Sequence, residues 1–503
     1  MGRSAVRCLV RRDTYRDSVE LMRVAAELER RPGVARAALM MATPANRALL
    51  AEAGLAVSAA TAAGPNDLVI AVAAADAATA EGALAEAERL LIAQIGSAAG
   101  AAERPAPRTV ADAVRALPSA NLAIISTPGP YATAEALKAL KRGLHVFLFS
   151  GHVPIADEIE LKRLARKKGL LVMGPDCGTA ILDGVPLGFA NAVRRGRIGL
   201  VGASGTGLQQ VSCLIDRLGE GVSQVIGVGG RDLDEGVGGL MMRAGIERLA
   251  RDPGTTVIGL VSKPSAAAVA RHVLGVAWAC AKPFVMNFLG GDPAAVQQPG
   301  AVAATTLEDV ARSAVALARG ETPGAAGALD PKLLSRSRAR VERFTAGQRH
   351  VRGLFSGGTL CQEAALILAE MSAGDAAHTT VDLGDDEFTV GRPHPMIDFR
   401  LRNERIVAAA DDASTAVILL DVVLGYGAHP DPAGALILAL DQARRHATDA
   451  GRALAVVASI CGTASDPQDL SRQEETLAAA GVILAPSNAQ AARLAARLAA
   501  GGS

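Results

Sequence analysis

Aliphatic runs of strand length alternate along the whole chain with segments of helical periodicity, and this rhythm admits few architectures. A strand that runs through a helix into a further strand builds a parallel sheet with right-handed crossovers. The first stretch reads as strand Ala5–Val10, amphipathic helix Ser18–Glu29, strand Ala35–Met41 and strand Asp67–Val72 before a long Ala-rich helix. Further strands are expected at Leu122–Ser126, His145–Phe149, Leu170–Met173, Gly199–Val201, Val222–Val228, Thr256–Val261 and Pro283–Leu289. A last group comprises Gly353–Ser356, Ala416–Asp421, Ala453–Ser459 and Gly481–Ala485. Such unbroken apolar runs suit strands covered on both faces. Half the residues are hydrophobic but only 3% aromatic, so Ala, Val, Leu and Ile must fill the cores. The expected fold class is α/β, with several three-layer parallel-sheet domains of Rossmann-like and flavodoxin-like form.

A chain of 503 residues exceeds one ordinary core. Small-residue and Pro-rich segments at Gly96–Arg108 and Gly320–Gly327 mark boundaries. The expected division is 1–108, an N-terminal α/β module; 109–193, a Rossmann domain; 194–322, a flavodoxin-like domain; 323–350, a basic linker; and 351–503, a second copy of the flavodoxin-like plan. A formal net charge of +1 gives no basic field for nucleic acid. No segment offers about 18 uninterrupted apolar residues, so no membrane is expected as a partner and the expected location is the cytoplasm. The six cysteines show no CxxC spacing, which argues against a disulfide framework or a metal site. Cys177 and Cys461, each beside a glycine at a strand end, are the two that invite a role.

The chemistry is expected at loops that open helices. In Ile198-Gly-Leu-Val-Gly-Ala-Ser-Gly-Thr-Gly207 a strand empties into Ser204, Gly205, Thr206 and Gly207. Small residues let a ligand approach the backbone, and a helix start offers unpaired N–H groups at its positive end. The alternative is a tight turn with Ser or Thr as helix cap. Phe355-Ser-Gly-Gly-Thr-Leu360 repeats the pattern with Gly357, Gly358 and Thr359, which suggests a pseudo-symmetric pair facing one site. Arg231 and Lys263 end strands where open α/β sheets bind ligands, and Arg231 could hold a carboxylate through two parallel hydrogen bonds. In Gly391-Arg-Pro-His-Pro395 two prolines fix the direction of His394. His394 with Arg392 reads as an acid/base and anion-binding pair, or else as a rigid interface loop. Mg²⁺ on Asp382, Asp385 or Asp386 is a weaker reading, and no metal ligand is assigned.

Gly174-Pro-Asp-Cys-Gly-Thr179, the Ala203-Ser-Gly-Thr206 loop and Gly227-Val-Gly-Gly230 occur in the order found in the α subunit of succinyl-CoA synthetase. The resemblance covers roughly residues 116–320. It implies a CoA-binding-like role for 109–193 and ligase-like roles for 194–322 and 351–503. Together with Ser18-Val-Glu-Leu-Met22, Thr43-Pro-Ala-Asn46 and Val390-Gly-Arg-Pro-His-Pro-Met-Ile-Asp398, these motifs make the chain similar to the FdrA family nearly end to end. Two departures bear on chemistry. The stretch Phe288-Leu-Gly-Gly-Asp-Pro-Ala294 has no histidine where the synthetase carries its phosphohistidine, and Arg11–Ser18 has no glycine in its first βα turn. The FdrA resemblance implies a subunit of an oxamate carbamoyltransferase of purine (allantoin) catabolism, converting oxalurate and phosphate to oxamate and carbamoyl phosphate. Backbone donors at Ser204–Gly207 would then hold phosphate, Arg231 or Arg392 the substrate carboxylate, and His394 a proton. The alternatives are an acyl-CoA synthetase and a non-catalytic scaffold. CoA and Mg²⁺ are the candidate cofactors, and small anions and other subunits the candidate partners.

Overall fold

A computed structural model describes residues 5–16, 18–55, 58–99, 107–262, 266–291, 299–325, 327–338, 344–345, 347–372, 378–389 and 393–501. The chain divides into two compact units, residues 1–108 with 390–393, and residues 109–389 with 394–503. In the first unit, strand Leu68–Ala74 lies between Ala5–Arg11 and Val34–Met41, antiparallel to both. Every residue of the central strand is buried. Leu21, Val24, Leu28, Ala80, Ala83 and Ala87, from helices Ser18–Glu29 and Ala77–Ala99, cover one face. Leu50, Leu55 and Ala60 cover the other. A strand sandwiched in this way reads as unbroken apolar sequence whichever direction its neighbours run.

Among the described residues the second unit contains three sheets. The smallest joins Leu122–Ile125, His145–Leu148 and Val172–Met173 in parallel. A seven-stranded sheet has the spatial order Ala301–Ala303, Phe284–Phe288, Val257–Ser262, Arg195–Ala203, Val222–Gly227, Thr179–Leu182, Val185–Gly188. Its last two strands form an antiparallel hairpin that precedes residue 193 in the chain yet belongs to this sheet. A five-stranded, wholly parallel sheet has the order Thr379–Asp382, His350–Phe355, Thr415–Val423, Ala455–Cys461, Ile483–Ala485. Numbered from their first parallel strands, both large sheets follow the order 2-1-3-4-5, the flavodoxin-like arrangement. In both, the crossover direction reverses between strands 1 and 3, and each first strand is followed directly by a helix, Gly205–Arg217 or Gly358–Met371.

These two helices pack on each other and share one apolar core with helices Leu307–Ala318 and Asn488–Ala499. Leu208, Val211 and Ile215 from the first helix and Leu360, Ala364 and Ile367 from the second belong to that core. Glu363 ties it together: its carboxylate accepts the Leu307 amide at 2.7 Å and the Asn488 side-chain amide at 2.8 Å. Burial pushes the Glu363 carboxyl up to about 7, against the opposing pull of those two hydrogen bonds. The proton is therefore held in the fold over a range where the unfolded chain has released it. Stability from this group is complete below about pH 4.5 and declines as pH rises to 7, by on the order of 3 kcal/mol. Urea unfolding across that interval should show the decline, and Glu363→Gln should flatten it.

Candidate functional site

The two helix starts meet end to end. Ser204 caps Gly205–Arg217 by accepting the Gly207 amide at 3.1 Å, and its Oγ lies 2.7 Å from Thr359 Oγ1 across the seam. A Cβ added at Gly357 would stand 2.8 Å from Thr206 Cγ2, so this glycine sets how closely the turns approach. Ser204, Gly207, Gly357 and Thr359 are buried, whereas Gly205, Thr206 and Gly358 are half-buried. The Ser204 and Thr359 hydroxyls and the Gly207 amide thus bind the fold to itself. The amides of Gly205, Thr206 and Gly358 have no protein partner among the described residues.

The two turns differ in charge. Beneath the second, Asp421 accepts the amides of Ser356 at 2.9 Å and Gly357 at 2.8 Å, and the Ser356 hydroxyl at 3.0 Å. Arg402, fully buried, donates to the same carboxylate at 2.7 Å. This helix start already holds an anion of the chain's own. Under the first turn the corresponding place belongs to Val261, which pairs with Gly202 and packs against Gly207. The positive end of helix Gly205–Arg217 consequently has the greater capacity for an outside anion.

His394 adjoins the second turn. Its ring centroid lies 5.5 Å from that of Phe189, and its Nδ1 accepts the Met396 amide at 3.2 Å, which leaves the proton on Nε2. A Cβ added at Gly384 would stand 2.9 Å from both His394 Nε2 and the Ser356 carbonyl oxygen, so only glycine fits there. Burial holds the imidazole down at about 4, with a smaller opposing effect from Asp421. At neutral pH this histidine is an uncharged hydrogen-bond donor.

Arg231 is tied into the fold on one side. Its guanidinium donates to the Val153 carbonyl at 2.7 Å and pairs with buried Glu158 at 2.8 Å, so its charge is engaged within the fold. Behind it, fully buried Lys162 bridges Glu158 and Asp232, each at 2.8 Å. Arg392 and Lys263 lie outside the described residues. Burial raises the Cys177 thiol to about 12, which removes it as a nucleophile at neutral pH. Cys461 is buried in hydrogen-bonding contact with Cys213. Among the described residues no group of His, Cys, Asp or Glu could hold a metal ion, and no helix is long and apolar enough to cross a membrane.

The turn after Leu122–Ile125, Thr127-Pro-Gly129, is legible in the sequence as a turn but was assigned no binding role there. Thr127 Oγ1 is buried there without a partner among the described residues, and helix Gly129–Lys141 begins without a side-chain cap. A Cβ added at Gly129 would meet the carbonyl oxygens of Gly151 and His152 at 2.5 and 2.6 Å. The Pro-Gly-Pro sequence gave the turn away, but its threonine is indistinguishable from any loop hydroxyl.

Three family models match parts of the chain: a CoA binding domain over residues 193–277, a CoA-ligase over 354–498, and an "AllF, heavy metal-associated domain" over 4–107. The last segment contains one cysteine, Cys8, and no histidine. The chain is 41% identical to the "Uncharacterized protein YahF" of Escherichia coli (strain K12), over 98% of both chains. It is 32% identical to the mitochondrial succinate–CoA ligase [ADP-forming] subunit alpha-2 of Trichomonas vaginalis, over 29% of this chain and 47% of that one. It thus spans about half the length of that ligase subunit. Among solved structures it is similar to the apo dinucleotide-forming acetyl-coenzyme A synthetase 1 of Ca. Korarchaeum cryptofilum, at 16% identity, 76% and 83% coverage and a TM-score of 0.34. The matches overturn the carbamoyltransferase expectation: the segments carrying the two helix starts match a CoA-binding domain and a CoA ligase.

Proposed function

From the premise that the chain belongs to one family with YahF of Escherichia coli, we propose an acyl-CoA-synthetase-like protein that binds CoA, a phosphoryl group and a small carboxylate. The observation carrying this reading is the meeting of two helix starts at the crossover-reversal points of two sheets of equal strand order. Ligands of open α/β sheets bind at such points. The unpaired amides of Gly205, Thr206 and Gly358 would hold phosphoryl oxygens, with the Thr206 hydroxyl as a further donor. His394, neutral and fixed by Met396, would donate from Nε2 to an oxygen at the rim of the second turn.

The residues also fit CoA. The orphaned Thr127 hydroxyl and the uncapped start of helix Gly129–Lys141 suit a phosphate-bearing group. Bound there, CoA supplies the thiol that becomes the thioester. Gly151 and His152, whose carbonyls close on Gly129, would limit the depth of that binding place. No phosphoenzyme step is assigned to residues 288–294, which contain no histidine. The naming of matched relatives as alpha subunits supports a second chain as working partner.

Isothermal titration of the full chain with CoA is expected to show saturable binding that Thr127→Val weakens. CoA- and ATP-dependent thioester formation from a panel of short carboxylates is expected once the partner chain is present. Absence of saturable CoA binding would overturn the reading.

A further inference from the structure

At the amino ends of strands Leu122–Ile125, His145–Leu148 and Val172–Met173, away from the helix starts, the fold leaves a cleft of about 690 Å³. It lies between the three-stranded sheet, the hairpin Thr179–Gly188 and the end of helix Leu240–Arg251. Leu171, Met173, Ile226 and Leu249, all buried, form an apolar floor, and half-buried Leu187 forms part of a wall. The volume falls in the range of small-molecule sites, which pair an apolar lining with a few placed polar groups.

The rim contains charges of both signs, but most are already engaged. Asp183 accepts Gln224 Nε2 at 2.8 Å and pairs with Arg195 at 3.4 Å. Asp252 accepts the Gly254 amide at 3.0 Å and the Thr255 hydroxyl at 2.7 Å. Arg251 pairs with Glu247 at 3.7 Å. Arg248, exposed one turn before the helix end, has no ion-pair or side-chain hydrogen-bond partner among the described residues. Beside it, His145 accepts the Leu171 amide on Nδ1 at 2.9 Å, so its Nε2 carries the proton. Burial, reinforced by the Arg248 charge, lowers the His145 pKa and keeps the ring a neutral donor.

We propose that this cleft binds a small amphipathic carboxylate, its apolar body on the Leu171–Met173–Ile226–Leu249 floor and its carboxylate against Arg248, with His145 as second donor. The proposal is independent of the CoA reading, because it concerns the opposite ends of the strands. Decanoate, titrated calorimetrically into the full chain, is expected to bind saturably at one site. Arg248→Glu should weaken that binding about tenfold or more, and Arg248→Lys should retain most of it. Leu187→Glu, at a half-buried wall position, should abolish it. Circular dichroism and the thermal midpoint verify folding of both variants; if Leu187→Glu disturbs the fold, Arg248→Glu decides alone. Absence of saturable heat, unchanged affinity in Arg248→Glu, or displacement of decanoate by CoA overturns the proposal.

Discussion

A chain carrying Asp421→Ala is expected to lose about 3–5 kcal/mol of stability, the usual consequence of removing one member of a buried ion pair. Asp421 and Arg402 are both fully buried; Arg402 Nη2 holds the carboxylate and the Leu354 carbonyl, while Nε and Nη1 have no partner among the described residues. The substitution would strand the guanidinium and also release the amides of Ser356 and Gly357. Equilibrium urea unfolding should register the loss as a lower midpoint. The double replacement Asp421→Leu with Arg402→Met should recover a substantial part, because an apolar pair of similar volume leaves no unpaired charge. If the single variant unfolds at the wild-type midpoint, Asp421 is not the counter-charge of this turn.

The second large effect concerns binding. Thr206→Asp would place a carboxylate at the first of the two turns, where Val261 stands in the place that Asp421 holds under the second. Phosphate binding should fall about a hundredfold or more, as expected for a like charge against a desolvated anion. Thr206→Val, which removes only a hydroxyl donor, should weaken binding about tenfold. Calorimetric titration with inorganic phosphate separates the two. Equal affinity in Thr206→Asp and wild type would place the anion elsewhere and remove the basis for chemistry at the seam.

Most of the fold was legible, because its strands are aliphatic runs and its helices begin at Gly, Ser and Thr. Most expected strands from Leu122 to Ala485 fall within a residue or two of those observed, but Arg195–Ala203 and His350–Phe355 begin four and three residues early, and Ala301–Ala303 and Thr379–Asp382 were not expected. The hairpin Thr179–Leu182 and Val185–Gly188 escaped, although Asp183-Gly184, both at positive φ, is a strong two-residue hairpin signal. The antiparallel pairing of the first unit was hidden because a strand covered on both faces carries no record of direction. Of the candidate site, the pairing of the Ser204 and Gly357 turns was legible as a repeated motif. Asp421 was not: it is a lone acid in Ile418-Leu-Leu-Asp-Val-Val423, and its partner Arg402 sits in a helix whose other arginines, Arg400 and Arg405, are exposed. The partner of Arg231 was equally hidden, since its place at a strand end is ligand-like while Glu158 engages it from a helix distant in sequence.

The outermost strands of the two large sheets are each only three or four residues long, and one of them, Val185–Gly188, contains Pro186. So short a border gives a stray chain little to template on, and a proline there withholds a backbone donor from any newcomer. A molecule this rich in aliphatic strands should therefore resist edge-to-edge aggregation at high concentration while its borders stay folded.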